Sequence, residues 1–274
     1  ASSCTALLVQ SRSSLVDNLI KNNGIVLLVI IGLPGLFAWL LTIINRQTKA
    51  NLVNHYGINS QVYCGFLGII IHELSHLILA LIFRHGIQSV RLLKRPHLHP
   101  EDESADDLAL GYVNHTWNRH SRYQVIGNLF IGVAPIFGCT AALLGLDWLL
   151  APGLFQAIFK LADTPEQPQW AASFHALTST PTSWWQLLML LFLTLVIVIG
   201  GFDLSPADYQ NSAIGLYSTI GIIIVLTTLL TFIGITGWIH TLVTWGLMVA
   251  IILGYSLLVS LLVMLVTHLM TNRA

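Results

Sequence analysis

The chain has 274 residues, of which 55% are hydrophobic and 9% are Asp, Glu, Lys or Arg; an ordinary soluble domain carries about 25% charged residues. Twelve basic residues balance twelve acidic ones, so no net field draws in polyanions. This excludes a cytosolic enzyme, a disordered chain and a nucleic-acid binder, and leaves a membrane protein with several spans.

A hydrocarbon core about 30 Å thick takes roughly 20 apolar residues in a helix. Six stretches qualify in chain order: Gly24–Ile44, Val62–Phe83, Val125–Leu146, Trp184–Phe202, Ala213–Ile235 and Thr241–Thr267. Pro34 and Pro135 sit inside the first and third, where a kink is tolerated if neighbours satisfy the freed carbonyls. Between the second and third spans lies the one large polar excursion, residues 84–124. Two short alternating stretches in it, Ile87–Leu93 and Leu110–Trp117, predict a small two-stranded ribbon around the acidic KRPHLHPEDESADD. Residues 151–183 read as an amphipathic surface piece plus loop. The expected fold is an all-α membrane protein, one domain over residues 1–274, with about six transmembrane helices and a small cytoplasmic β-ribbon between helices two and three.

Six alternating crossings place the N-terminus, 84–124, 203–212 and the C-terminus on one side. That side carries Arg12, Lys21, Arg84, Arg91, Lys94, Arg95, Arg119, Arg122 and Arg273; the other carries Arg46, Lys49 and Lys160. The positive-inside bias then predicts that both termini and the ribbon are cytoplasmic. Cys4, Cys64 and Cys139 are scattered, with no CxxC pair, and read as small packing residues. The opening ASSCTALLVQSRSS lacks the pattern of a signal peptide.

Five spans contain no ionisable Asp, Glu, Lys or Arg; the second contains Glu73, inside the run His72-Glu73-Leu74-Ser75-His76. On a helix, positions i and i+4 share a face, so His72 and His76 can grip one metal ion. Glu73, one step round, can reach a water at that ion and take its proton. Two imidazoles and a carboxylate suit zinc, with a fourth position left for water. Ionisable groups inside a span are costly, and such groups mark functional sites. The plainer alternative is three polar groups satisfied by neighbouring helices.

A third protein ligand is needed. The fourth span ends in GGFDLSPADYQNSA, which offers Asp203 and Asp208. Pro206 favours a turn that folds a carboxylate back toward the histidines, yet DLSPAD also resembles a helix-cap signal. Glu101, Asp102, Glu103, Asp106 and Asp107, with His97 and His99 beside them, read as a solvated loop. The other histidines, His85 and His115 among them, receive no role.

An HExxH within a transmembrane helix, followed by an Asp just after a Pro near a later span's end, resembles the site-2 protease family of intramembrane zinc metalloproteases. The resemblance covers roughly residues 62–212, with residues 24–44 and 213–268 as extra helices. It implies one zinc held by His72, His76 and Asp208, two residues after Pro206, with Glu73 as general base. Where the family has Leu-Asp-Gly, this chain has Ala207-Asp208-Tyr209. The stretch YQVIGNLFIGVAPIFG echoes a family segment and implies that Asn128 contacts substrate. The implied reaction is hydrolysis of a peptide bond in or near a transmembrane segment of a membrane-protein substrate, within the lipid bilayer, with no nucleic-acid partner. Two alternatives stay open. One is a metalloprotease class with a downstream Glu ligand, here Glu101 or Glu103. The other is an inactive membrane subunit or scaffold of a larger complex that keeps a metal-site relic.

Overall fold

The computed structural model describes residues 2–57, 59–94 and 110–272, with side chains from residue 15 to residue 271. Among the described residues it is helical throughout, apart from one two-stranded ribbon. Six helical stretches are long and apolar enough to cross a membrane: Leu15–Tyr56, Ser60–Ile82, Arg122–Leu150, Trp184–Gly201, Pro206–Phe232 and Gly237–Thr271. The chain is an all-α membrane protein, as its composition requires. The acidic loop, with Glu101, Glu103, His97 and His99, lies outside the described residues, as do Arg95, Arg273 and the side chains of Cys4 and Arg12.

Helix α1 (Ser2–Leu27) passes through one π-helical turn (Leu28–Gly32) into α2 (Leu33–Tyr56). The Leu33 N–H reaches back to Leu28 O, one residue further than in an α-helix. This wider turn comes just before Pro34, which has no N–H to continue the ladder. Gly57, at φ 81°, closes α2 in a backbone region that suits glycine, and α3 (Ser60–Ile82) follows. Strands β1 (Gly86–Arg91) and β2 (Tyr112–Thr116) then pair antiparallel. The register shifts between Ile87 and Ser89, leaving Gln88 as the extra residue of a bulge.

Ser121 caps α4 (Arg122–Leu150) by accepting the Gln124 N–H. The 151–183 segment forms two helices, α5 (Pro152–Asp163) and α6 (Trp170–Ser179), which pack on each other. Helix α5 buries Gly153, Ala157, Ile158 and Ala162 and leaves Lys160 exposed, the amphipathic pattern expected of a surface piece. A capping box of Ser183 and Gln186 starts α7 (Trp184–Gly201). Helices α8 (Pro206–Phe232) and α9 (Gly237–Asn272) complete the chain. Helix α8 begins at Pro206, not Ala213, so only residues 202–205 separate α7 from α8 and Asp208 lies inside a helix.

The core lies between α2, α3, α4, α7 and α9, with Leu41, Ile136, Cys139, Ile197, Val198, Phe202 and Leu204 buried. Helices α3 and α7 cross at glycines. A Cβ on Gly68 would collide with the Ile197 carbonyl, and one on Gly200 with the Gly65 carbonyl. Small residues let backbones approach this closely inside a bilayer, where packing rather than the hydrophobic effect holds helices together.

Helix α9 runs parallel to α2: Gly246 sits against Val29, Gly254 near Phe37, and Asn45 Nδ2 donates to Ser260 Oγ at 3.1 Å. Helix α8 runs antiparallel to α1–α2. Asn22 Nδ2 donates to Thr231 Oγ1 at 3.1 Å, while Arg46 pairs with Asp203 just before α8 begins. Six strictly alternating crossings would reverse both senses. Arg46 and Lys49 were counted on the side opposite Asp203, yet both reach it, because α2 continues past the level at which the apolar run ends.

Candidate metal centre

His72 and His76 stand one turn apart on α3, both buried. Their Nε2 atoms lie 3.2 Å apart. Asp208 brings Oδ1 to 3.1 Å from His76 Nε2 and Oδ2 to 3.7 Å from His72 Nε2. One ligand atom from each residue falls within 4.8 Å of the others. Ligands bound tetrahedrally at 2.0–2.1 Å stand about 3.3 Å apart, so the three are spaced as ligands of one ion.

The far side of each imidazole explains why Nε2 faces inward. His72 Nδ1 lies 2.8 Å from Gly201 O, and His76 Nδ1 lies 2.8 Å from Ile131 O. A carbonyl can only accept, so each Nδ1 carries a proton, and in the neutral imidazole each Nε2 then presents a lone pair. Neither carbonyl has a helical partner. Pro135 stands four residues after Ile131 and has no N–H to give it. Gly201 ends α7, where carbonyls have no further turn to pair with. A proline and a helix end thus supply the two acceptors that orient the two ligands.

Asp208 is held by a third local device. Ser205 N–H donates to Asp208 Oδ2 at 2.7 Å, and Asp208 N–H donates to Ser205 Oγ at 3.2 Å, a reciprocal capping box opening α8. The carboxylate caps α8 with one oxygen and turns the other to His76. Gly132 makes room, since any Cβ there would strike the Asp208 carbonyl and Ser212 Oγ. Asp203 lies elsewhere, bonded to Arg46 Nε at 3.3 Å and Lys49 Nζ at 3.3 Å.

A cavity of about 1230 Å³ opens onto this group, with His72, Glu73, His76 and Asp208 in its wall. Glu73 is nearly buried, and Gly111 passes so close that a Cβ there would come within 2.7 Å of its Cγ. All six residues from Leu110 to His115 line the cavity, whereas β1 contributes only Gln88. A strand that presented a face would contribute every second residue; an unbroken run means that the edge of β2 borders the cavity. Asn128 does not line it. This side chain is fully buried in α4, its Nδ2 donating weakly to Gln124 O at 3.4 Å and its Oδ1 left without a partner among the described residues.

The sequence reading gave no role to a histidine pair beside the site. His85 Nδ1 lies 3.0 Å from His115 Nδ1, and His85 Nε2 donates to Gln124 O at 2.9 Å. The donation fixes the tautomers: His85 Nδ1 accepts, and His115 Nδ1 donates. Burial pushes the His85 imidazole below its ordinary pKa, against the Gln124 carbonyl. Burial, then His85 and His76, lowers His115 to about 4. Thirty residues separate the pair in sequence, and the pairing of β1 with β2, which sets Ile87 opposite His115, brings them together, so no local pattern announced it.

Comparison with family models, with curated proteins and with solved structures returned no match. What the chain holds is therefore argued from its own geometry: a buried His72–His76–Asp208 group that can bind a metal ion, in an integral membrane protein.

Proposed function

We propose that the chain is an intramembrane zinc metalloprotease that hydrolyses a peptide bond in or near a transmembrane segment of a membrane protein. One observation carries the reading. Two imidazoles whose Nδ1 protons are held by Ile131 O and Gly201 O turn their Nε2 atoms toward one carboxylate, all within contact distance. In their neutral form they offer two lone pairs beside the carboxylate, and two nitrogens with one oxygen suit zinc. When bound, zinc supplies a Lewis acid for the scissile carbonyl and a water of lowered pKa.

The chain's own groups do the rest. The Glu73 carboxylate takes a proton from the attacking water and returns it to the departing amine nitrogen. The cavity, about 1230 Å³, leaves room for an extended chain. A transmembrane helix must first unwind there, because its carbonyls are otherwise hydrogen-bonded. The unwound segment then pairs with the free edge of β2 by strand addition, its backbone held along residues 110–115. A proline at Asn114 would cut turnover more than one at Val90 on β1, and equal effects would refute the β2 edge as the docking strand.

We place the 84–124 segment in the cytoplasm on its cations Arg84, Arg91, Lys94, Arg119 and Arg122. The start of α1 shares that side. Helix α9 runs with α2, so its last residues lie on the other side, and only one terminus keeps the cytoplasmic placement read from charge.

The test is cleavage of a library of single-span peptides in vesicles that hold the zinc-loaded protein. Cleavage that Glu73→Gln abolishes, with zinc still bound, supports the reading. Zinc bound in full with no peptide cut would point to a non-catalytic membrane subunit.

A further inference from the structure

The cavity has a second chemical feature away from the metal ligands. Arg46 and Lys49, on α2, line it together with Gln61 and Asp203. Arg46 Nε donates to Asp203 Oδ1 at 3.3 Å and Nη2 to Leu204 O at 3.0 Å. Lys49 Nζ donates to the same carboxylate, at Oδ2, at 3.3 Å. One carboxylate thus serves two cations at that end of the cavity. The Lys49 side chain is 14% exposed and that of Asp203 19%, whereas that of Arg46 is 58% exposed. The guanidinium has five N–H donors, and its two bonds leave the others for a ligand.

We propose that Arg46 and Lys49 form a subsite for a carboxylate side chain of the bound peptide, so that the enzyme selects substrates with an acidic residue near the scissile bond. This rests on the protease reading above. The position follows from the backbone. Asp203 is two residues beyond Gly201, whose carbonyl holds His72, so the cations stand close to the metal-ligating group without belonging to it. Two to three residues of extended chain, at about 3.3 Å each, cover such a step. A glutamate or aspartate there would meet a fork of donors suited to a carboxylate. Placed within a mostly apolar segment, it would also be the group that discriminates among segments, because an uncharged side chain would leave the spare guanidinium donors without a carboxylate.

A purely structural role, tying α2 to the 202–205 segment, is the competing explanation, and charge changes of opposite sign separate the two. The probes are a soluble ten-residue peptide with one glutamate three residues from its centre, and its glutamine twin. Their binding is measured by fluorescence anisotropy on the full chain carrying Glu73→Gln. The subsite requires the glutamate peptide to bind about tenfold tighter, that preference to vanish in Arg46→Gln, and it to grow in Asp203→Asn, which releases both cations. A structural tie lowers the melting temperature in both variants and moves the preference in neither. Equal binding of the two peptides to the parent overturns the subsite and leaves the protease reading standing. Binding of neither peptide overturns the peptide reading, and the subsite with it. Should Arg46→Gln fail to fold, the gain in Asp203→Asn still decides.

Discussion

Three acceptors that face one another need positive charge between them, and at the residue scale this is the most demanding feature of the molecule. The Nδ1 protons of His72 and His76 are held by backbone carbonyls, so the neutral imidazoles turn lone pairs toward Asp208, and a metal ion or an added proton supplies the charge. The histidines and Glu73 were legible in the sequence because HExxH compresses its chemistry into five consecutive residues. Asp208 was legible only as one of two candidates. What decides between them is that Asp203 finds Arg46 and Lys49, partners 157 and 154 residues away that no local pattern connects to it. The His85–His115 pair allows a separate check. Its folded pKa is depressed, at about 4 for His115 against an ordinary 6.5. Between those values the unfolded chain binds the proton and the folded chain does not, so stability is present above about 6.5 and is lost as pH falls toward 4. The His115 ring resonance should therefore titrate near 4, and the melting temperature should fall between pH 6.5 and 4.5 by less in His115→Phe than in the parent.

At the scale of the element, the site depends on backbone groups that helices leave unpaired. Pro135 reads from sequence as a tolerated kink, and its structural effect is to free the Ile131 carbonyl for His76. Pro135→Ala restores an N–H that competes for this carbonyl. The expected result is a straighter helix with zinc affinity lower by about tenfold, the low end for loss of a ligand's orienting partner, measured by competition with a chelator. Gly68 acts through α7. Gly68→Ala would push the Ile197 carbonyl away and carry Gly201 O from His72, with destabilisation of about 1–3 kcal/mol from overpacking. Zinc affinity and melting temperature should fall together in that variant, whereas Pro135→Ala should lower the affinity alone. The six apolar helices and the ribbon were readable from span length and alternation. The start of α8 was not, because a capping box at Ser205 extends the helix through polar residues that hydropathy assigns to a loop.

Across the whole molecule, α9 runs beside α2 in the same direction, whereas six strictly alternating crossings would oppose them; on this packing we propose opposite faces for the two ends. Single cysteines at Lys21 and Met270 in oriented vesicles should react with an impermeant thiol reagent from opposite faces; labelling of both from one face would restore the alternating arrangement. The claim on which everything else rests is the metal centre, and the most direct measurement is zinc per chain in purified protein, on the parent and on His72→Ala, Asp203→Asn and Asp208→Asn. The expected result is near one zinc in the parent, lost in His72→Ala and Asp208→Asn and kept in Asp203→Asn. A well-folded parent that binds no zinc, or an Asp208→Asn variant that retains it in full, would contradict the account.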